Sequence, residues 1–470
     1  MRLLDVPRLI IGLSSCLLSH NAAATHQTTP DGLVSCEVAQ RVEGKDQGTE
    51  IALVWTGAAT AIGSATDDKG NIFAAYYAPD RNLTIARFDL KSRQVCRRKL
   101  DSFFQGWDGH NETTLVLPPD GSLHLAGNMH ASPLVYASGR ADDLRTLRLT
   151  DMTGRDEKSV TYPHFMFNGQ RQLLFLYRDG ASGAGRWLVN QWNGQTWKRI
   201  AGIFDGADSH GPVSAYPTNF VKGAEGNYHV AVVWRRTWDV ATNFRLTYAS
   251  TKDFKHWKVN GKTIVGPLRP EMMEAVDSAG ENNGLVNDAK LVVLPGGEPL
   301  IFYTRYQADG RNAIFIARRT QMRWNSKSIS VAHARKEIVG GGSLPDLPTV
   351  NPSVSRDGQV DVRIAFGTDI RNFRLDPWTL KEVPYRALPD SHSVQAIALR
   401  NQAEGMTNVI VPKSVVRRNG VDGPVVGTLR WFVQKANADK PWDCTQSAPR
   451  ACHPHPSPLL WFSRTAEDSD

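Results

Sequence analysis

Two short stretches carry the residues best suited to chemistry: Gly106-Trp107-Asp108-Gly109-His110-Asn111 and Gly127-Asn128-Met129-His130. Each histidine stands beside turn-forming residues, and a β-like run, Ser122–Ala126, lies between them. Both rings can therefore reach the same end of one small sheet. Further along, Thr161-Tyr162-Pro163-His164 is followed by Tyr177-Arg178-Asp179-Gly180, and Ser214-Ala215-Tyr216-Pro217-Thr218 by Val233-Trp234-Arg235-Arg236. Proline holds the residue before it extended, so Tyr162 and Tyr216 are expected in similar, rigid poses.

Histidine, tyrosine and arginine together suit β-elimination from a uronic acid. The C5 proton lies α to a carboxylate and is weakly acidic. Arginine pairs bidentately with that carboxylate and stabilises the developing enolate. A neutral imidazole can take the proton, and a phenol can protonate the leaving oxygen at C4. No cofactor is needed. The sequence has no paired-carboxylate signature of a glycosidase; Asp108 and Asp179 each adjoin a glycine, as turn residues do. Neither GxSxG, HExxH nor a P-loop is present.

These residues need a scaffold that brings them to one face, and a repeat provides it. A glycine-containing turn leads into an alternating β run at 70–76, 121–126, 171–177, 226–232, 298–303 and 358–363. The starts recur roughly every 50–70 residues, as expected for four-stranded propeller blades. Second runs follow at 133–136, 186–190, 245–248 and 313–317, and several copies close on Trp197, Trp257 or Trp324. No long segment has a helical period, so few helices are expected. The reading is all-β, a seven-bladed β-propeller over 51–440, with Leu53–Trp55 and Leu429–Phe432 sharing the last blade. That closure would remove an exposed sheet edge. A large β-sandwich is the alternative.

The N-terminus reads as a signal peptide over 1–24: Arg2 and Arg8, an apolar run from Leu9 to Leu18, then Ala22-Ala23-Ala24. A lipoprotein site at Cys16 is the competing reading. Residues 25–50 form a linker and first strand region, and 441–470 a Pro-rich wrap with an acidic tail at Glu467–Asp470. The chain is expected to be secreted or periplasmic. No other run reaches ~18 apolar residues, so no membrane span is expected. Four cysteines would remain, which suits disulfides; proximity favours Cys444–Cys452 and leaves Cys36–Cys96. The net charge is +8, but the basic residues are dispersed. An acidic polysaccharide is a better partner than nucleic acid, and a monomer is expected.

The motifs 108–111, 129–130, 162–163, 177–183 and 216–218 resemble those of the BNR-4-type secreted β-propellers. That group includes seven-bladed ulvan lyases and rhamnose–glucuronate lyases. The resemblance runs from about Ile51 to Arg319 and more weakly beyond. It implies a polysaccharide lyase cleaving a rhamnose–glucuronate bond at O4 of the uronate. By that resemblance His110 and Tyr162 are base and acid, in an order left open. Arg178 would neutralise the carboxylate, and His130 and Tyr216 would position the sugar or share in proton transfer. Asn111, Trp107, His164, Arg235 and Trp234 are expected to bind substrate. Some relatives carry a structural metal, so calcium or zinc is allowed for, although no ligand cluster stands out. Cys452-His453-Pro454-His455 reads as a loop. The rivals are an α-L-rhamnosidase-type hydrolase of the same fold and a non-catalytic carbohydrate-binding propeller.

Overall fold

A computed structural model describes residues 34–39, 48–223, 225–385 and 393–464. The expected signal peptide and acidic tail lie outside the described residues. All six alternating runs form strands: Asn71–Tyr77, Ser122–Gly127, Leu173–Ala181, Tyr228–Arg235, Pro299–Tyr306 and Val360–Phe366. Each has a neighbour on either side in an antiparallel meander. Among the described residues there is one α-helix, Ser393–Asn401, and none is long and apolar enough to cross a membrane.

The first sheet runs Val34–Val38, Gln94–Phe103, Asn82–Asp89, Asn71–Tyr77, Gly63–Thr66. The second holds Thr113–Val116, Ser122–Gly127, Tyr136–Arg140 and Asp143–Leu149. The third has 11 strands, but its two halves, Val160–Phe204 and Ser214–Asp277, meet through a single parallel pair, Gly185 with Ser214. Two more meanders follow, from Lys290–Val293 to Arg323–Val331 and from Thr349–Val354 to Glu382–Val383. Apolar clusters lie between the first and second sheets, the second and third, the two halves of the third, and so on in chain order. This face-to-face succession is propeller-like.

The chain closes on itself. Thr49–Val54 pairs with Ser457–Ser463, which pairs with Val425–Arg430. Leu53 and Leu429 thus share a sheet, as expected, but the strand between them comes from the segment read as a surface wrap. Both disulfides form as proximity suggested, Cys36–Cys96 and Cys444–Cys452. Of the closing tryptophans, Trp197 and Trp257 are core residues and Trp324 is partly buried. Fully burying a large apolar side chain is worth about 1.5–3 kcal/mol, so the first two anchor their outer strands. Asp253 caps the hairpin before Trp257 by accepting from the amides of Lys255 and His256, at the opposite end of its strand from Asn243.

Candidate active site

Asp108 is the centre of the first motif. Its Oδ1 accepts the His110 amide at 2.9 Å and lies 2.7 Å from His110 Nδ1. Its Oδ2 meets His130 Nδ1. Burial pushes this carboxyl up, but hydrogen bonds from both imidazoles outweigh it and hold it well below the usual carboxylate range. An ionised carboxylate only accepts, so each Nδ1 carries a proton towards it, and in the neutral ring Nε2 is then the acceptor. The rings stack with centroids 4.3 Å apart. The turn around His130 needs left-handed backbone at Asn128 (φ 64°) and Ala131 (φ 49°), and the Ala131 amide donates to Thr161 Oγ1 at 2.8 Å. Thr161 thus joins the His130 turn to the next sheet.

Tyr162 departs from expectation. It is not extended before Pro163 but left-handed, with φ 56°. The register explains why: Thr161 faces Arg178 and His164 faces Leu176, so one extra residue bulges from the edge strand. A bulge re-aims a side chain, and strain of this kind persists only where the surroundings impose it. The Tyr162 ring lies 5.9 Å from His110, 6.0 Å from Trp187 and 6.3 Å from Tyr216. Tyr216 follows expectation, paired in its strand with Val233. Burial pushes the Tyr162 phenol up against the pull of Arg178, so it keeps its proton at neutral pH.

His110, Tyr162, His164 and Tyr216 line one cavity of about 560 Å³ with Glu112, Trp187, Asn287, Asp288 and Lys290, among others. Burial lowers His164 to about 4, so it is neutral, and raises Glu112 to about 7. Arg178 lies beneath the tyrosines instead of lining the wall. Its guanidinium sits 4.9 Å from the Tyr162 ring and 5.9 Å from Tyr216, and it is 1% exposed. Nη2 donates to Thr161 Oγ1 at 3.1 Å, while Nε and Nη1 have no partner. Arg235 is also buried, but fully engaged: Nε with Asn243, Nη1 with Ser182 and the Trp238 carbonyl, Nη2 with Asn287 at 2.7 Å.

The substrate-binding expectations divide. His164 lines the cavity, and Arg235 supports it through Asn287 and the Tyr216 ring, 4.3 Å away. Asn111 and Trp107 brace the turn. Asn111 Nδ2 donates to the Asp108 carbonyl, and Trp107 packs 5.4 Å from Trp55. Trp234 is a correction: it is fully buried and its indole donates to Thr247, because its strand position points into the core. Sequence reading missed Glu112, Asn287 and Ser343, whose Oγ lies 3.2 Å from His110 Nδ1. Asp108, His110 and His130 bring three ligand-type atoms within 4.8 Å of one another, a set that could hold a cation. The two Asp108 oxygens already engage both Nδ1 atoms, so an ion held at those nitrogens would have to replace those bonds.

The profile described as "BNR repeat-containing family member" matches residues 71–332. No curated protein matches the sequence. Among solved structures, the polysaccharide lyase Uly1 is similar with a TM-score of 0.50 at 15% identity, covering 90% of this chain and 94% of that one. An ulvan lyase bound to -[GlcA(1-4)Rha3S]- gives 0.49 at 12% identity, covering 81% and 92%. A lectin from Burkholderia pseudomallei gives 0.40 at 12%, covering 82% and 95%. At these identities the likeness is one of fold. The profile spans more than half of the 470 residues, and the chain belongs to the BNR repeat-containing family.

Proposed function

We propose that the cavity is the active site of an exported polysaccharide lyase that cleaves a rhamnose–glucuronate bond at O4 of the uronate by β-elimination. The observation that carries this reading is Arg178: a buried guanidinium with two unpaired nitrogens, Nε and Nη1, under the ring of a cavity tyrosine. Held behind the Tyr162 ring without ion pairing among the described residues, this charge favours an anionic group in the cavity through its field. With Nδ1 tied to Asp108, His110 offers Nε2 as the base for the C5 proton. Tyr162, held protonated, supplies the proton to O4. The product would carry a C4–C5 double bond conjugated with the carboxylate. The similarity in fold to the polysaccharide lyase Uly1 agrees with this reading. Two disulfides suit an oxidising compartment. We also read the 11-stranded sheet as two blades, which with the five other large sheets makes seven.

A second reading is favoured by Glu112 and Asp288, two carboxyls on the same cavity. They would serve a hydrolase, with Glu112 as the protonated acid. One experiment separates the two. The protein is incubated with gum arabic, ulvan and related uronate polymers, followed by ultraviolet absorbance and product mass. Elimination gives an absorbing, unsaturated uronate; hydrolysis adds water and gives no absorbance. Cleavage without absorbance would sink the lyase reading.

A further inference from the structure

Trp238 is the most exposed tryptophan among the described residues, and the site as described does not use it. It is 64% exposed, in a segment fixed on all sides by hydrogen bonds. Asp239 Oδ1 accepts from the Ala241 and Gly340 amides, both at 2.8 Å, and the Val240 amide donates to the Gly340 carbonyl. Thr237 Oγ1 lies 3.0 Å from Thr242 Oγ1 and accepts the Asp239 amide. A side chain on Gly341 would come within 2.8 Å of the indole, so only a glycine lets the ring lie on that backbone. Isolated exposed apolar residues are ordinary. An indole seated on backbone, in an ordered segment, is a preformed flat apolar surface with little entropy left to lose.

Its place relative to the cavity follows from two connections. The Trp238 carbonyl accepts from Arg235 Nη1, and the same guanidinium donates to Asn287 on the cavity wall. The second runs through the strap Gly340–Ser343. Gly341 touches the Trp238 ring, while the Ser343 hydroxyl meets His110 Nδ1 and would touch a side chain on Gly109. Gly341 and Ser343 are two residues apart, so their Cα atoms are at most about 7 Å from each other. The indole and the His110 imidazole therefore lie at the two ends of one short strap, within the span of a few linked sugar units.

We propose that Trp238 is a sugar-binding platform, on which the C–H face of a neutral pyranose stacks. That pyranose is a neighbour, along the polysaccharide, of the unit held at His110. This rests on the reading of the cavity as a polysaccharide-cleaving site. The substrate class it adds is a chain with an unsulfated, apolar-faced sugar at that position, because a charged substituent would sit against the indole.

Two arms test it. In the first, wild type, Trp238→Ala and Trp238→Phe are assayed on polymer and on a rhamnose-capped glucuronate disaccharide. For the alanine variant the ratio of KM on polymer to KM on disaccharide should rise roughly threefold to tenfold, the worth of one aromatic stacking contact. The phenylalanine variant should restore most of it. An unchanged ratio, or an equal loss of kcat on both substrates, overturns the platform. In the second arm, His110→Ala with and without Trp238→Ala is titrated with the same polymers, read as retardation in affinity gels. A drop in binding on removal of Trp238 supports the platform even if no elimination product is ever seen, in which case the lyase reading alone falls. Equal binding overturns the platform while leaving the lyase reading standing.

Discussion

Arg178→Met separates a group that waits for a ligand from one that holds the fold. Methionine keeps the unbranched stem as far as the Nε position and removes the charge. In the structure Nε and Nη1 are unmet, a cost of about 1–3 kcal/mol each. The bond to Thr161 and the contact with the Tyr162 ring return about 3–5 kcal/mol together. Burying a cation that forms no ion pair among the described residues costs several kcal/mol more. Replacing a buried charge by an apolar side chain of similar volume is often neutral or stabilising by about 1–4 kcal/mol, so the variant should be as stable as wild type or more so. Elimination should fall about 10²–10⁴-fold, the loss typical of one electrostatic or proton-transfer group. The assay pairs denaturant unfolding, read by tryptophan fluorescence, with turnover on the polymer that wild type cleaves. If the variant unfolds several kcal/mol more easily, the guanidinium belongs to the scaffold and the argument from its unpaired charge fails. Undiminished turnover would remove Arg178 from the site.

Glu112 gives a pH signature. Its folded value, raised to about 7, means that the folded protein keeps a proton that the unfolded chain gives up above the ordinary glutamate range. Stability is therefore full below that range and declines as pH rises towards 7. Glu112→Gln should abolish that decline, a gain on the order of 1–3 kcal/mol at neutral pH and above, measured as unfolding midpoints across pH; a parallel pH profile in the variant would refute it. Asp108→Asn should leave the circular dichroism unchanged yet lower elimination by roughly 10–100-fold, as loss of the group that orients an imidazole does; wild-type rates would show that the two histidines do not depend on it. Replacing both Cys36 and Cys96 with serine removes a link across 60 residues and should cost about 2–4 kcal/mol in thermal or chemical unfolding, with activity kept at low temperature.

Much of the scaffold was legible because a period-2 pattern after a glycine turn is a strand signal, and all six copies are strands. Strand-end position then placed His110, His130, Tyr162, Arg178 and Tyr216 near one another. The finer geometry was not legible. Proline at 163 argued for an extended Tyr162, but an extra residue in an edge strand is set by pairing with the neighbour, which no local rule reveals. Trp234 was expected to bind substrate alongside Arg235, yet successive residues of a strand face opposite ways, and that parity turns the indole into the core. Asp108 looked like a turn residue and is one; that its two oxygens serve two histidines from separate turns depends on the fold bringing Asn128–Ala131 alongside. Glu112 carried no motif at all and is distinguished only by the cavity around it.

The strand Ser457–Ser463 has a consequence for how the protein is made. Residues 110–216 can emerge from the ribosome and form hairpins early, but the two edges they are meant to live between, Thr49–Val54 and Val425–Arg430, meet only when residue 463 is available. Until then the nascent chain is an open arc with two unpaired rims, vulnerable to association with its neighbours. A stop codon ahead of Ser457 would spare every residue of the cavity yet leave the arc permanently unlatched.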